Sequence, residues 1–148
     1  MLSSKQEHHF DRARLITNTE AVDQSGNVDF LIASILVYAA KSDGSISQLE
    51  TDKMLETLCT RLGVRNAEAM NHLSQAVMQL ADEGNFILKL QQLATALNQQ
   101  EKECVLDMML QVAMADGKIE PQEYQAVLCT WEILRLPRDK VYAELRSI

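Results

Sequence analysis

Asp43-Gly44-Ser45-Ile46-Ser47-Gln48-Leu49-Glu50 and Asp116-Gly117-Lys118-Ile119-Glu120-Pro121-Gln122-Glu123 state one phrase twice, 73 residues apart in a chain of 148. An alanine-bearing apolar run leads into each copy and an amphipathic run leads out of it. The order is helix, turn, helix, and it occurs twice. Most letters of the phrase have a local reason. Gly44 and Gly117 suit the left-handed backbone that ends a helix, and Ile46 and Ile119 stand where a hydrophobic staple sits. Ser47 with Glu50 spells a capping box, in which the glutamate returns to the amide of the capping residue. Pro121 suits the first position of the second helix, where Glu123 takes the same part.

Working outward, Phe30 to Ala40 is apolar on nearly every face, as a helix in the middle of a bundle should be. Its counterpart runs from Val105 to Ala115, in a helix that Asn98-x-x-Glu101 can open as another capping box. After the turns, Met54, Leu55, Leu58 and Leu62 form one stripe, and Val127, Leu128, Trp131 and Leu134 form its match. The offset slips to 72 by the end of that stripe, so one residue was lost or gained there. Ala69, Met70 and Leu73 then answer Val141, Tyr142 and Leu145 in a third helix of each unit. Between the units, Glu83-Gly84-Asn85 separates a helix ending near Leu80 from one carrying Phe86, Ile87, Leu88, Leu90, Leu93 and Leu97, which closes the bundle. Ahead of everything, Ser4 to Asp23 carries Phe10, Leu15, Ile16 and Val22 on one more helix, followed by a break at which Asn27 can cap.

No stretch alternates apolar and polar residues as a strand would. The expectation is an all-α fold, a compact bundle of about seven to eight helices with an internal pseudo-twofold duplication. Its parts are an N-terminal helical segment over 1–26 and a domain over 27–148, made of repeat one (28–74), linking helices (75–98) and repeat two (99–146), all one compact unit. A chain of this length buries roughly 68–70% of the surface it exposes when unfolded, enough for a real core.

The net charge of −7 argues against nucleic acid as a partner, because phosphates are gripped by lysine and arginine. Cys59, Cys104 and Cys129 cannot all pair with one another and show no metal-ligand spacing, which reads as reduced thiols. The first fourteen residues hold no apolar export core, and the run from Phe30 to Ala40 is well short of the ~20 residues that span a bilayer. A cytoplasmic protein with no membrane insertion is the expectation.

The phrase matches the second half of a calcium-binding EF-hand loop, whose first and third positions also supply oxygens. Those places hold Ala39 and Lys41 in one copy and Val112 and Met114 in the other, none of which ligates calcium. Asp43 and Asp116 nevertheless sit beyond the carboxyl ends of helices, where a negative charge opposes the macrodipole by roughly 0.3–1 kcal/mol. Two readings stay open. Each aspartate accepts backbone amides in a local turn, or carboxylates of both repeats hold a divalent cation such as Ca, Mg or Zn.

The motif Ala40-Lys41-Ser42-Asp43-Gly44-x-Ile46-x-x-x-Glu50, with its partner Ala113-Met114-Ala115-Asp116-Gly117-x-Ile119-x-x-x-Glu123, resembles the TerB-like family associated with bacterial tellurite resistance. The likeness covers residues 28 to 146. It implies a small, internally duplicated helical domain and a part in resistance to tellurium oxyanions and wider chemical stress. It also implies Asp43, Glu50, Asp116 and Glu123 as a divalent-metal set, beside the capping roles that Glu50 and Glu123 already have. Lys41 and Lys118 depart from a purely acidic pattern and can neutralise the carboxylates internally. Some members of the wider family are fused to J-domain co-chaperones, but this chain carries no His-Pro-Asp signature.

Other features read as structure. The His8-His9 pair cannot face one way on a helix, His72 lacks a patterned partner, and Met108, Met109 and Met114 sit at helical spacing in an apolar run. No nucleophile elbow, phosphate loop, dinucleotide glycine set or zinc-protease motif occurs. The functional expectation is a non-enzymatic module that binds protein partners, with homodimerisation open and no cofactor beyond the divalent cation. A metal-dependent enzyme using the acidic turns and a purely structural adaptor are the alternatives.

Overall fold

The computed structural model describes residues 28–41, 46–79, 83–115, 117 and 119–137. These residues form six helices: α1 Val28–Lys41, α2 Gln48–Leu62, α3 Asn66–Met78, α4 Glu83–Ala96, α5 Gln99–Ala113 and α6 Pro121–Leu134. The fold is all-α, and the described residues contain no strand. The helix expected over Ser4 to Asp23, the cap at Asn27, and the third helix of repeat two through Val141, Tyr142 and Leu145 fall outside the described residues.

The duplication shapes the packing. Helix α1 touches each of the other five helices, and α5, its counterpart, packs on α1, α2 and α6. Within a repeat α2 leans on α1 and α6 on α5. Across the repeats α2 also meets α5, and α6 meets α1. Helices α3 and α4 cover the remaining sides of α1, α4 reaching over to α6. Ile32, Ala33, Ile35, Leu36 and Val37 are therefore fully buried, and Val105, Met108 and Met109 are their equivalents in α5. Burial of each large side chain stabilises by about 1.5–3 kcal/mol. Asp29 and Ser34 are the buried polar residues of α1, and the Ser34 hydroxyl donates to the carbonyl of Phe30 at 2.9 Å.

The one-residue slip has a visible cause in the last turns of α2 and α6. Gly63 ends α2 in the left-handed conformation (φ 72°), its amide donating to the Cys59 carbonyl at 3.1 Å. Arg135, 72 positions later, ends α6 in the same conformation (φ 58°), but its amide reaches the Glu132 carbonyl, one residue nearer, at 3.2 Å. The shorter repeat closes its last turn more tightly and keeps the same exit.

Three expectations need correction. Glu83-Gly84-Asn85 is no break, because α4 begins at Glu83 and Gly84 lies within its first turn. A glycine near a helix start costs less than one in the middle, and the apolar residues from Phe86 onward decide the outcome. Gly117 has the expected positive φ of 102°, yet α5 stops earlier, at Ala113, with Met114 as its cap. Met70 and Leu88, grouped with the apolar residues of their helices, are 51% and 55% exposed.

Candidate functional site

Each turn ends in an extended residue that starts the next helix. At Ser47 (φ −77°, ψ 163°) the hydroxyl accepts the Glu50 amide at 3.1 Å, and the Ser47 amide donates to Glu50 Oε1 at 2.9 Å. The second copy keeps the return bond: the Glu120 amide donates to Glu123 Oε1 at 2.9 Å, with Pro121 in the first helical position. The spacing of Ser47 with Glu50 and of Pro121 with Glu123 foretold these contacts. Both glutamates are buried, at 2% and 1% exposure.

Helix α5 offers an internal comparison. Its start, at Asn98 and Glu101, follows no Asp-Gly turn, yet the Asn98 amide donates to Glu101 Oε1 at 2.8 Å and Glu101 is also buried. The same carboxylate geometry thus occurs where no acidic turn precedes it. Burial near a helix amino end is favourable for a carboxylate, which meets unpaired amides and the positive end of the macrodipole.

Of the four implied metal residues, Glu50 and Glu123 are placed as described, and Asp43 and Asp116 lie outside the described residues, as does Lys118. Lys41 occupies the last turn of α1, where a cation complements the helix dipole. Among the described residues, no group of three or more His, Cys, Asp or Glu side chains is arranged to hold a metal ion. Glu50 and Glu123 each commit Oε1 to an amide, so a cation at either turn would have to take its remaining oxygens from elsewhere.

Sequence patterning missed a clamp between the repeats. Arg61, on the outer flank of α2, reaches α5 with Nη2 at 2.5 Å from Asp107 Oδ2 and Nη1 at 3.5 Å from Cys104 Sγ. Burial alone would lower the Arg61 pKa, but the hydrogen bonds to Asp107 and Cys104 outweigh it and hold the pKa above its ordinary value. Burial raises the Cys104 thiol pKa, against the lowering effect of the Arg61 hydrogen bond. Opposite charges 46 residues apart on different helices leave no signal in a periodicity, so nothing short of the packing reveals this pair.

His72 does acquire neighbours. Its ring lies 6.3 Å from that of Phe30, over which Lys89 Nζ stands at 5.8 Å from the ring centroid. Nearby on the same pair of helices, Tyr38 stacks on Phe86 at 4.0 Å and 13°. These contacts seal α3 and α4 against α1. Beside α3 the surface opens into an apolar groove of about 410 Å³ between α1, α2 and α3.

Among the described residues, no helix is long and apolar enough to cross a membrane. A family model described as "Tellurite resistance protein TerB" matches residues 29–144. No curated protein and no solved structure matches the chain.

Proposed function

The chain belongs to the tellurite resistance protein TerB family, and from that premise we propose that it is a non-enzymatic helical module of a bacterial system resisting tellurite and related chemical stress. It acts, on this reading, in the cytoplasm and by binding protein partners. The observation that carries the partner clause is the set of large apolar side chains held at the surface, with Met78 84%, Leu49 56% and Leu88 55% exposed. Single exposed apolar residues are ordinary, but Met78 borders a groove and is not isolated.

Deleting the gene in its host and plating on graded potassium tellurite tests the resistance clause. The tolerated concentration is expected to fall and to return when the whole chain is supplied from a plasmid; unchanged tolerance removes the clause. Photo-crosslinking residues placed at Leu49, Leu88 and Met78 test the partner clause in cells, where a complete lack of adducts would overturn it.

A second reading, motivated by the Asp-Gly phrase that both repeats share, has a divalent cation bound at the acidic turns. Calorimetric titration with Ca²⁺, Mg²⁺ and Zn²⁺, comparing the wild type with Asp43→Asn/Asp116→Asn, decides it. Millimolar or tighter binding that the double variant loses supports the cation, and no heat sinks it.

A further inference from the structure

Helix α3 has two faces, and the core accounts for only one of them. Ala69, Leu73 and Ala76 are buried, on the helix that packs against α1 and α2. Ala67, Met70, Asn71, Ser74, Val77 and Met78 lie within about one third of the helix circumference and are all exposed. Met70 is 51%, Val77 42% and Met78 84% exposed. Asn66 Nδ2 donates to the Met70 sulfur at 3.8 Å, which ties this thioether to its own helix.

The same stretch is free of charge. No Asp, Glu, Lys or Arg occurs between Glu68 and Asp82, the longest such run in the chain. Burial explains the uncharged run of α1, from Phe30 to Ala40, and the uncharged part of α4, from Leu90 to Ala96, exposes Gln91 and Thr95, which water solvates. Neither reason applies to α3. On the neighbouring α2, Lys53 pairs with Glu56 at 3.0 Å, Asp52 accepts the side-chain amide of Gln48 at 2.8 Å and Glu50 is buried in its cap, so these charges are engaged within the chain.

A charge-poor face with exposed methionines has the composition of an interface core. Its neutrality also selects the occupant. A chain of net charge −7 repels its own copy wherever carboxylates face each other, and this face lets two copies meet without that cost, whereas a strongly charged partner gains nothing from it. Ser74 is the centre of the face, with Met70 and Met78 four residues to either side, and its small side chain allows two helices to cross closely. When two copies are apposed antiparallel about a twofold axis at Ser74, each Met70 faces the other copy's Met78. Arg65, at the amino cap of one α3, then lies toward the carboxyl end of the other, where the helix dipole favours a cation.

We propose that two copies of this chain pair through α3, antiparallel about a twofold axis at Ser74. The inference goes beyond the partner reading above and does not rest on it.

The test is sedimentation equilibrium on the full-length chain. Because one helix pair makes a small interface, a dimer is expected at ~100 µM and its dissociation on dilution to ~1 µM. Ser74→Glu and Ser74→Lys each set like charges against one another on the axis, and each is expected to weaken the dimer by roughly ten-fold or more with an unchanged thermal melt. Mixing these two variants in equal amounts is expected to bring the dimer back as a one-to-one heterodimer, identified by native mass spectrometry. Neither misfolding nor the docking of an unrelated protein produces that rescue. Gln125→Glu and Gln125→Lys, at an exposed position of α6, are expected to leave the dimer intact. A wild type that is monomeric at the higher concentration overturns the proposal and leaves the face to another protein or to the chain's own termini. Ser74 variants that stay dimeric, a mixture that stays monomeric, or equal weakening by the Gln125 variants overturns it as well.

Discussion

Burying a carboxylate is costly and hydrogen bonding offsets the cost, and Glu50 and Glu123, at 2% and 1% exposure, each use Oε1 on the amide three residues back. Replacing either by alanine leaves that amide unsatisfied and is expected to lower the free energy of unfolding by about 1–3 kcal/mol, read from urea melts. Glu101→Ala should cost a similar amount, because its geometry is the same. If the losses at positions 50 and 123 alone grow when a divalent cation is added, the acidic turns do more than cap. Cys104 gives a prediction in pH. Burial holds its folded pKa above the ordinary 9.0, so above pH 9 the unfolded chain has released a proton that the folded chain keeps. Stability is therefore complete below pH 9 and falls as pH rises past it, flattening once the folded thiol also ionises. Cys104→Ala should remove that part of the alkaline slope in melts taken from pH 8 to 10.5.

Between elements, the Arg61 clamp joins the outer flank of α2 to α5 and so ties repeat one to repeat two. Its side chains are 19% and 25% exposed, which places the pair between a surface bridge and a buried one. A double-mutant cycle with Arg61→Ala and Asp107→Ala is expected to give a coupling of about 1 kcal/mol, shrinking in 1 M salt. The elements themselves were largely legible beforehand. Local codes wrote the starts of α2, α5 and α6, since Ser47 with Glu50, Asn98 with Glu101 and Pro121 with Glu123 act within one turn of backbone. What escaped was set elsewhere in the molecule. Gly84 looked like a stop because its intrinsic cost is real, but the packing of Phe86, Leu90 and Leu93 against the core outweighs it. Met70 and Leu88 share the apolar pattern of their helices yet stay exposed, because periodicity reports that a helix has an apolar side, not how wide a neighbour covers it. The groove and the clamp depend on which helices meet, and no window along the chain contains that.

For the molecule as a whole, α1 is the common wall, touching all five other helices. Ile35→Ala, at a position with 0% exposure, is expected to destabilise by about 2–5 kcal/mol, which for a domain of ordinary stability removes a large share of the total. Calorimetry should show one transition shifted down in temperature. Two separate transitions would mean that the repeats unfold apart, against the shared packing of α1, α5 and α6.

The burial of α1 on every side also sets an order of events at the ribosome. A helix with a polar face can wait in water for its partners, but α1 has none to show. Its counterpart α5 begins 71 residues later, at Gln99 against Val28. At synthesis rates of roughly 5–20 residues per second, α1 is out for on the order of 4–14 s before α5 follows it. During that interval α2, α3 and α4 can already cover their sides of α1, so the side that stays open to water is the one α5 and α6 will take.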